Sequence, residues 1–323
     1  PQQPRRANME QNDLKELLAC LPKERTLYPY CQDYYAVQLL QIAAEKHLSI
    51  QSIKGSSFSR LLNKPSITSL LSSCGNGAIS SELLSSYWQE PGTTYLVTAG
   101  IWGSKSDRYA QTSRPGINLV LRLNFNHQHD QMFRQSIHPV EDGVFNNWCH
   151  PVLKRGDRSY YRETLAWSRL DIDLQLGEVL IEEIQSDWVR DVRWLNKWRQ
   201  CCATDEHPMH CYSFNTTAAM AGRYLNFVQP LLKQWSQAML AATIDFIHRE
   251  LGVKRIWFHS WEVGNYLKRI KGSYAPPRSL YTSLPKQFCF ELTDQLPALL
   301  SDKRTTKRLR RGKISPRFYK LEL

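Results

Sequence analysis

The chain has 323 residues, of which 42% are hydrophobic and 11% aromatic, so a wholly disordered protein is excluded and one large core or two smaller ones are allowed. No stretch approaches the roughly 18 uninterrupted apolar residues needed to span a bilayer. The first residues, PQQPRRANMEQND, lack the apolar region of a secretion signal. We therefore expect a cytoplasmic protein without a membrane partner.

The net charge favours an acidic partner. It is +12 at pH 7, and nucleic acid is the commonest acidic partner of a basic protein. Part of this excess lies in 303–313, a stretch without an acid that contains Lys303, Arg304, Lys307, Arg308, Arg310, Arg311 and Lys313. We expect residues 301–323 to form a basic C-terminal tail, which is either simply solvated or binds phosphate. The charge pattern does not predict an oligomeric state.

The first part of the chain has a helical pattern. Between Leu14 and Trp88, apolar residues recur at helical spacing in LKELLACL and YYAVQLLQIAAEKHL. Trp88 is followed by Gln-Glu-Pro-Gly, a turn signal, and then by TTYLVTAGIWG and INLVLRLNF, which read as strands. We predict a helical domain over residues 1–90 and a second domain over residues 91–300.

The second domain combines a hairpin, a long helix and further strands. The segment TLAWSRLDIDL, a turn at Gly177 and EVLIEEIQSD predict two adjacent antiparallel strands, and a helix near Trp188 to Arg199 follows. The longest helical pattern runs from Gln229 to Leu251, and KRIWFHS reads as the next strand. A short helix and a last strand near Gln287 to Leu292 complete an α+β fold with a mixed, mostly antiparallel sheet and a long central helix.

A polar cluster ends the strand EVLIEEIQ. If the extended period of two continues, Glu183, Gln185 and Asp187 lie on one face, while Glu182, Ile184 and Ser186 lie on the other. Polar groups at the end of a buried strand cost several kcal/mol unless they are paired, hydrated or bound to a ligand. The cluster is therefore the first candidate for a functional site.

The order of the elements resembles the acetyltransferase-like fold of the GNAT superfamily, in which a hairpin precedes the long central helix and a further strand follows it. In that superfamily a Gln/Arg-x-x-Gly-x-Gly/Ala turn follows the strand that corresponds to EVLIEEIQ, and its backbone amides hold the pyrophosphate of coenzyme A. Here the same place reads SDWVRDVRW, without a glycine. The resemblance implies an acyltransferase-type core, whereas the missing glycines argue against acetyl-coenzyme A.

The segment IEEIQSDW also resembles the "EIQSDW" segment of poorly characterised domains in large polyvalent proteins of phages and mobile elements. In those domains a strand-turn-strand leads into the motif, and a helix with a Trp, a Gly and an aromatic strand follow. The matching parts here are LAWSRLDIDLQLGEVLIEEIQSDW, Lys233 to Leu251 and Gly252 to His259. This resemblance implies a phage or mobile-element context and no settled activity.

A polar pocket is expected beside the long helix. The ends of the two strands that flank this helix would bring His259 towards Gln185 and Asp187. A histidine can act as a general base near neutral pH. In a transferase-type pocket, Glu183 or His259 would therefore be the base.

The segment APPRSLYTSLP would close this pocket. An arginine beside a tyrosine can hold a phosphate or carboxylate, so Arg278 is the candidate anion clamp. In GNAT-like proteins a Tyr near this point often acts as the general acid, and the resemblance assigns this role to Tyr281. Trp188 would either stack on a base or nucleotide or pack the helix start against the sheet. The remaining predicted substrate-binding residues are Arg190, Ser260 and Ser279.

Two alternatives remain open. Asp173 before the hairpin turn, with Glu183 and Gln185 on the returning strand, resembles the metal-binding core of restriction-endonuclease-like nucleases, in which oxygen ligands hold magnesium and activate water. This alternative is a magnesium-dependent nuclease whose metal ligands are Asp173 and Glu183. The other alternative is a non-catalytic module that binds nucleic acid or protein and has lost its cofactor site.

A cluster of soft ligands follows the helix after the polar strand end. The segment CCATDEHPMHC contains Cys201, Cys202, His207, His210 and Cys211. Such side chains can bind zinc, but their spacing matches no standard zinc finger. The sequence does not decide whether this cluster binds zinc.

Overall fold

The computed structural model describes residues 11–21, 26–44, 49–72, 77–79, 81–103, 111–154, 156 and 161–323. The helices are α1 (Gln11–Cys20), α2 (Tyr34–Ala44), α3 (Ile50–Lys54), α4 (Pro65–Leu71), α5 (Ser81–Ser85), α6 (His127–Ile137), α7 (Trp188–Gln200), α8 (Ala218–Arg249), α9 (Trp261–Lys268), α10 (Ser283–Gln287) and α11 (Lys303–Arg311). The strands are β1 (Thr26–Tyr30), β2 (Thr93–Trp102), β3 (Asn118–Asn124), β4 (Thr164–Asp173), β5 (Glu178–Gln185), β6 (Pro208–His210), β7 (Asn215–Thr217), β8 (Arg255–His259), β9 (Glu291–Thr293) and β10 (Phe318–Glu322).

Eight strands form one sheet in the order β1-β2-β3-β4-β5-β8-β10-β9, and β6 pairs with β7 separately. Within the large sheet β5 and β8 are parallel, and every other neighbouring pair is antiparallel. The predicted α+β fold with a mixed, mostly antiparallel sheet and a long helix is therefore confirmed. The parallel pair requires a crossover, which α7 and α8 supply.

The predicted hairpin is also confirmed. Strands β4 and β5 are antiparallel, and Asp173 pairs with Glu178 next to the turn. Gly177 has a φ of 61° in this turn, a conformation that glycine adopts without the steric cost of a side chain. Asp173 also accepts a hydrogen bond from the amide of Leu176, which fixes the turn.

Helix α8 covers the sheet. It begins eleven residues before the predicted start at Gln229, because Thr217 caps it by accepting a hydrogen bond from the amide of Met220. Its second half is buried against β4 and β5, and small residues such as Ala238 and Ala242 allow close approach. Thr243 and Ser168 of β4 share a 2.8 Å hydrogen bond across this contact. The second half of α8 is therefore the buried layer that packs against the centre of the sheet.

The described part of residues 11–90 shares its core with the sheet. It is mainly helical, as expected, but β1 is an edge strand of the large sheet. Gln38 of α2 donates a 3.1 Å hydrogen bond to the carbonyl oxygen of Ala241 in α8 and accepts one from Tyr28. Residues from α1, α2 and α8 belong to one hydrophobic cluster. This segment is thus packed onto the same core as strands β2 to β5.

The prediction that residues 301–323 form a basic tail is wrong. Residues 303–311 form α11, and β10 lies inside the sheet between β8 and β9. Phe318 packs against Trp257 on one face, whereas Leu321 belongs to the main core on the other. Because β10 is covered on both faces, the α+β part of the chain extends through the segment predicted to be a tail. Among the described residues, no helix combines the length and apolar character that crossing a bilayer requires.

Candidate ligand-binding cavity at the end of strand β5

A β-bulge at Glu182 determines where the polar side chains of β5 point. Leu170 pairs with Ile181 and Arg169 pairs with Glu183, so Glu182 has no partner of its own on β4. Ile181 and Ile184 both lie in the main core, although they are three positions apart. The bulge therefore breaks the alternation expected from the sequence. The prediction that Glu182 and Glu183 lie on opposite faces is wrong, because both carboxylates enter one connected polar network.

Glu183 is held by two buried cations. Arg169 donates a 2.7 Å hydrogen bond from Nη2 to Oε2 of Glu183, and Nζ of Lys268 lies 3.8 Å from the same oxygen. Trp167 donates to the other carboxylate oxygen over 3.3 Å. Burial alone would raise the pKa of Glu183, but Arg169 and Lys268 together lower this pKa to about 2. Glu183 is therefore ionised at neutral pH and is a weak proton acceptor.

Glu182 is held by His259 and Ser113. The Nε2 atom of His259 lies 3.1 Å from Oε2 of Glu182, and the hydroxyl of Ser113 donates to that oxygen over 2.8 Å. All three side chains are buried. Burial would raise the pKa of Glu182, but His259 and the nearby Lys268 lower it to about 2. Burial lowers the pKa of His259. Its imidazole contributes to this network through its contacts with Glu182 and Ser113.

Lys268 contacts both glutamates, through the carboxylate of Glu183 and the backbone of Glu182, and lines a cavity. Its ammonium donates a 2.7 Å hydrogen bond to the backbone carbonyl of Glu182 and lies over the ring of Tyr281 at 5.5 Å. Burial lowers the pKa of Lys268, and the carboxylates of Glu183 and Glu182 oppose this effect. Burial, with the negative charge of Glu183, raises the pKa of Tyr281. Tyr281 therefore keeps its proton far above neutral pH.

The cavity has a volume of about 650 Å³ and opens beyond the end of the parallel strand pair. Pairing of β5 with β8 stops at Ile181 and Phe258, while β5 continues to Gln185. The buried residues Glu183, Lys268 and Tyr281 form its inner end, and Gln185, residues 274–277 and residues 279–280 also line it. A cavity of this size is ordinary for a small-molecule or cofactor site.

Helix α7 forms a cationic and aromatic wall of the cavity. Arg190, Arg193 and Lys197 recur on one face of the helix, and Trp194 lies between them with half of its surface exposed. Arg190 is paired with Asp187 and Asp191. Within the described chain, no carboxylate lies in ion-pair distance of Arg193 or Lys197. This wall therefore presents unneutralised positive charge next to an indole ring.

Five of the predicted site residues meet at the cavity, and five do not line it. Those that line it are Glu183, Gln185, Arg190, Ser279 and Tyr281. Those that do not are Asp187, Trp188, His259, Ser260 and Arg278. The residues of the second group make other contacts within the protein, which keep their side chains away from the cavity.

Asp187 and Trp188 begin α7 and point into the protein. Asp187 accepts a hydrogen bond from the amide of Asn147, and the same carboxylate oxygen lies 2.7 Å from Nδ1 of His150. Trp188 is fully buried and donates from Nε1 to the hydroxyl of Tyr224 over 2.6 Å. Of the two alternatives for Trp188, the structure has the packing one: the buried ring packs the helix start against the core and is not exposed for stacking on a base.

Ser260 and Arg278 stabilise the surface around α9. Ser260 caps α9, since its hydroxyl accepts from the amide of Val263. Arg278 donates a 2.6 Å hydrogen bond to Glu262 and lies over the ring of Trp261 at 4.6 Å. The guanidinium of Arg278 is already paired, so its predicted role as an anion clamp is not supported by its contacts.

The structure does not bring together the residues that the sequence suggested as metal ligands. Asp173 pairs with Glu178 at the turn, whereas Glu183 pairs with Arg169 near the far end of the hairpin. At about 3.3 Å per residue, this register places the two proposed magnesium ligands more than 10 Å apart. Across the described residues, no group of three or more His, Cys, Asp or Glu side chains is arranged to hold a metal ion. The residues of the possible zinc cluster are covered by this statement, namely Cys201, Cys202, His207, His210 and Cys211.

The sequence did not identify Lys268, Arg169, Arg193 or Lys197 as site residues. Lys268 is the last residue of an amphipathic helix and Arg169 lies within an apolar strand, so neither belongs to a recognisable motif. The spacing of Arg190, Arg193 and Lys197 in SDWVRDVRWLNK was the available signal, because it places three cations on one helical face. The chain matches no protein-family model, no curated protein and no solved structure.

Proposed function

We propose that the cavity binds a phosphate-bearing acyl carrier and that the α+β part of the chain is an acyltransferase-type enzyme. The observation that carries this proposal is the separation of the parallel strands β5 and β8 beyond Ile181 and Phe258, with the cavity opening beside the start of α7. Ligands of open α/β arrangements bind where neighbouring strands diverge beyond their carboxyl ends. The element order that resembles the GNAT superfamily supports the same assignment.

The charge of the α7 wall suits the phosphates of such a carrier. Arg193 and Lys197 supply positive charge, and Trp194 supplies a flat surface for a ring system. The start of α7 lacks the glycines of a pyrophosphate turn, and the amide of Val189 already donates to the hydroxyl of Ser186. Side-chain cations along α7 therefore replace backbone amides as the anion-binding groups in this proposal.

The inner end of the cavity suits acyl transfer to an amine. In this reaction a bond forms between the acceptor nitrogen and the acyl carbon, the carbon–sulfur bond of the thioester breaks, and the nitrogen loses a proton to water. Tyr281 is protonated in the resting site, donates this proton to the leaving sulfur and is then reprotonated from water. The ammonium of Lys268 stabilises negative charge on the acyl oxygen.

Glu183 has a different role from the one expected of it. With a pKa of about 2, its carboxylate does not act as the base and instead holds the charged side chains of Lys268 and Arg169 in place. His259 lies outside the cavity lining and is bonded to Glu182. The acceptor amine therefore enters in its neutral form in this proposal.

Thermal unfolding in the presence of coenzyme A and acetyl-coenzyme A tests the carrier. We expect either compound to raise the Tm of the full chain, and we expect Arg193→Gln with Lys197→Gln to weaken binding by about tenfold to a hundredfold. The control removes two exposed cations elsewhere, Lys15→Gln with Lys54→Gln, and should bind like the unsubstituted chain.

Three outcomes would contradict the carrier. One is a Tm that neither compound changes at millimolar concentration. Another is equal binding by the α7 variant and the control, which would mean that the α7 wall does not hold the anion. Stabilisation by nucleoside triphosphates alone would also overturn the acyl carrier, because it would leave the anion site without an acyl group.

A further inference from the structure

Helix α11 has one strongly cationic face. Its exposed side chains are Lys303, Arg304, Lys307, Arg310 and Arg311, whereas Thr305 and Leu309 are buried. At about 100° per residue, the five cations fall within an arc of about 120°, opposite the two buried residues. A helix with this arrangement presents all its charge in one direction.

The helix is firmly anchored to the protein. Leu309 packs in a cluster with Leu300 and Phe318, and Asp302 caps the helix by accepting from the amides of Arg304 and Thr305. The guanidinium of Arg308 donates to the carbonyl oxygen of Tyr266, whose hydroxyl donates back to the carbonyl oxygen of Arg308. The cations are therefore held at a fixed place and do not belong to a free tail.

The positive charge continues beyond the helix and is not neutralised locally. Arg269 is the C-cap of α9, the helix whose Tyr266 bonds to Arg308 of α11. Burial, followed by the charges of Arg269 and Arg304, lowers the pKa of Arg308. For the five exposed α11 cations, the described part of the chain provides no ion pair. Keeping such like charges together costs free energy unless an anionic partner binds.

We propose that the exposed face of α11, together with Arg269, is a docking surface for the phosphate backbone of nucleic acid. The helix is about 13 Å long, and a duplex carries one charge per roughly 1.7 Å of its axis, so several phosphates lie within reach of its cations. Arg269 precedes Ile270, which lines the cavity, so this surface lies next to the cavity. It is otherwise separate from the cavity and does not depend on the acyl carrier.

Fluorescence anisotropy with labelled nucleic acid tests this surface in the full chain. The probes are a short mixed-sequence DNA duplex and an RNA single strand. In the α11 variant, Lys307→Gln, Arg310→Gln and Arg311→Gln remove three exposed cations, and the control Lys15→Gln, Lys54→Gln and Lys286→Gln removes the same charge elsewhere. We expect the α11 variant to bind the duplex at least about tenfold more weakly and its salt slope to fall by about 2.7, while the control changes both far less.

Three results would overturn the proposal. The first is equal loss of binding in the α11 variant and the control, which would mean that only net charge matters. The second is no binding of the unsubstituted chain to either probe at low salt. The third is binding to vesicles that contain phosphatidylserine, lost in the α11 variant, without binding to nucleic acid, because the partner would then be a lipid surface. Circular dichroism confirms that both variants are folded.

Discussion

Nη2 of Arg169 lies 2.7 Å from Oε2 of Glu183, and both side chains are buried where β4 pairs with β5. Lys268 is the second cation beside this carboxylate. The three groups form one charge cluster at the inner end of the cavity. Removing one member leaves the others buried without their partner, and this effect can be measured.

Glu183→Gln should destabilise the fold. The substitution preserves the shape of the side chain but leaves two buried cations, Arg169 and Lys268, without its negative charge, so we expect a loss of about 3 to 5 kcal/mol in the free energy of unfolding. Urea denaturation followed by circular dichroism measures this loss. The exposed Glu206→Gln is the control and should change stability by less than about 0.5 kcal/mol. An equally small effect of Glu183→Gln would show that the cluster is not stabilising.

The same carboxylate should produce an acid-dependent loss of stability. Its folded-state pKa of about 2 lies below the ordinary value of 4.5, so its contribution is complete above about pH 4.5 and is lost as the pH falls towards 2. Unfolding at several pH values between about 6 and 3 should therefore show a shrinking difference between the unsubstituted chain and Glu183→Gln. A difference that stays constant over this range would contradict the lowered pKa.

Glu163 should produce a pH dependence of opposite sign. Burial, followed by the nearby charge of Asp130, raises the pKa of Glu163 to about 7, so the folded state binds a proton that the unfolded state has released. Stability should increase as the pH falls from about 7 to about 4.5, and Glu163→Gln should remove an increase on the order of 2 kcal/mol. The exposed neighbour Glu141→Gln should retain it. Urea denaturation at both ends of this window provides the comparison.

Gly312→Ala should loosen α11. A Cβ atom at this position would overlap the ring of Tyr266, which holds the helix through its bonds with Arg308. We expect a loss of about 1 to 3 kcal/mol and faster hydrogen exchange in α11. Gly156→Ala is the control, because a Cβ atom there has no neighbour within 4 Å. Normal stability of Gly312→Ala would mean that the ring moves without cost.

Tyr281→Phe tests the chemical step of the proposed function. The hydroxyl is absent while the buried ring remains, so we expect carrier binding to be kept and the rate of acyl transfer to fall about a hundredfold to ten-thousandfold. The exposed cavity residue Tyr274→Phe should keep its rate. An unchanged rate in Tyr281→Phe would remove this residue from the chemistry and leave only the binding function.

Regular periodicity made much of the fold predictable. Apolar residues at three- and four-residue spacing predicted the second half of α8, and Gly177 between two apolar runs predicted the β4–β5 hairpin. The first half of α8 was missed, since Pro230 inside the helix resembles a helix start. Strand β10 was missed because it is short and follows a run of cations.

The candidate site was predictable only in its position. Gln185 and Tyr281 line the cavity as expected, but the bulge at Glu182 depends on pairing with β4 and cannot be inferred from β5 alone. Lys268 and Arg169 reach the site from separate elements, and their burial follows from tertiary packing. His259 was placed in the pocket because its strand neighbours β5, yet its side chain bonds to Glu182 instead.

We expect the parallel β5–β8 pair to form later in folding than the antiparallel pairs of the sheet. Strands β2 to β5 are antiparallel neighbours in chain order, so each contact closes a comparatively short loop. Glu178 and Arg255, which pair across the parallel junction, are 77 positions apart, and joining them requires the whole crossover through α7 and α8 to be in place. Contacts between distant positions form slowly because the loop entropy is lost before they are made. The cavity lies at this junction, so we expect it to be completed late in folding.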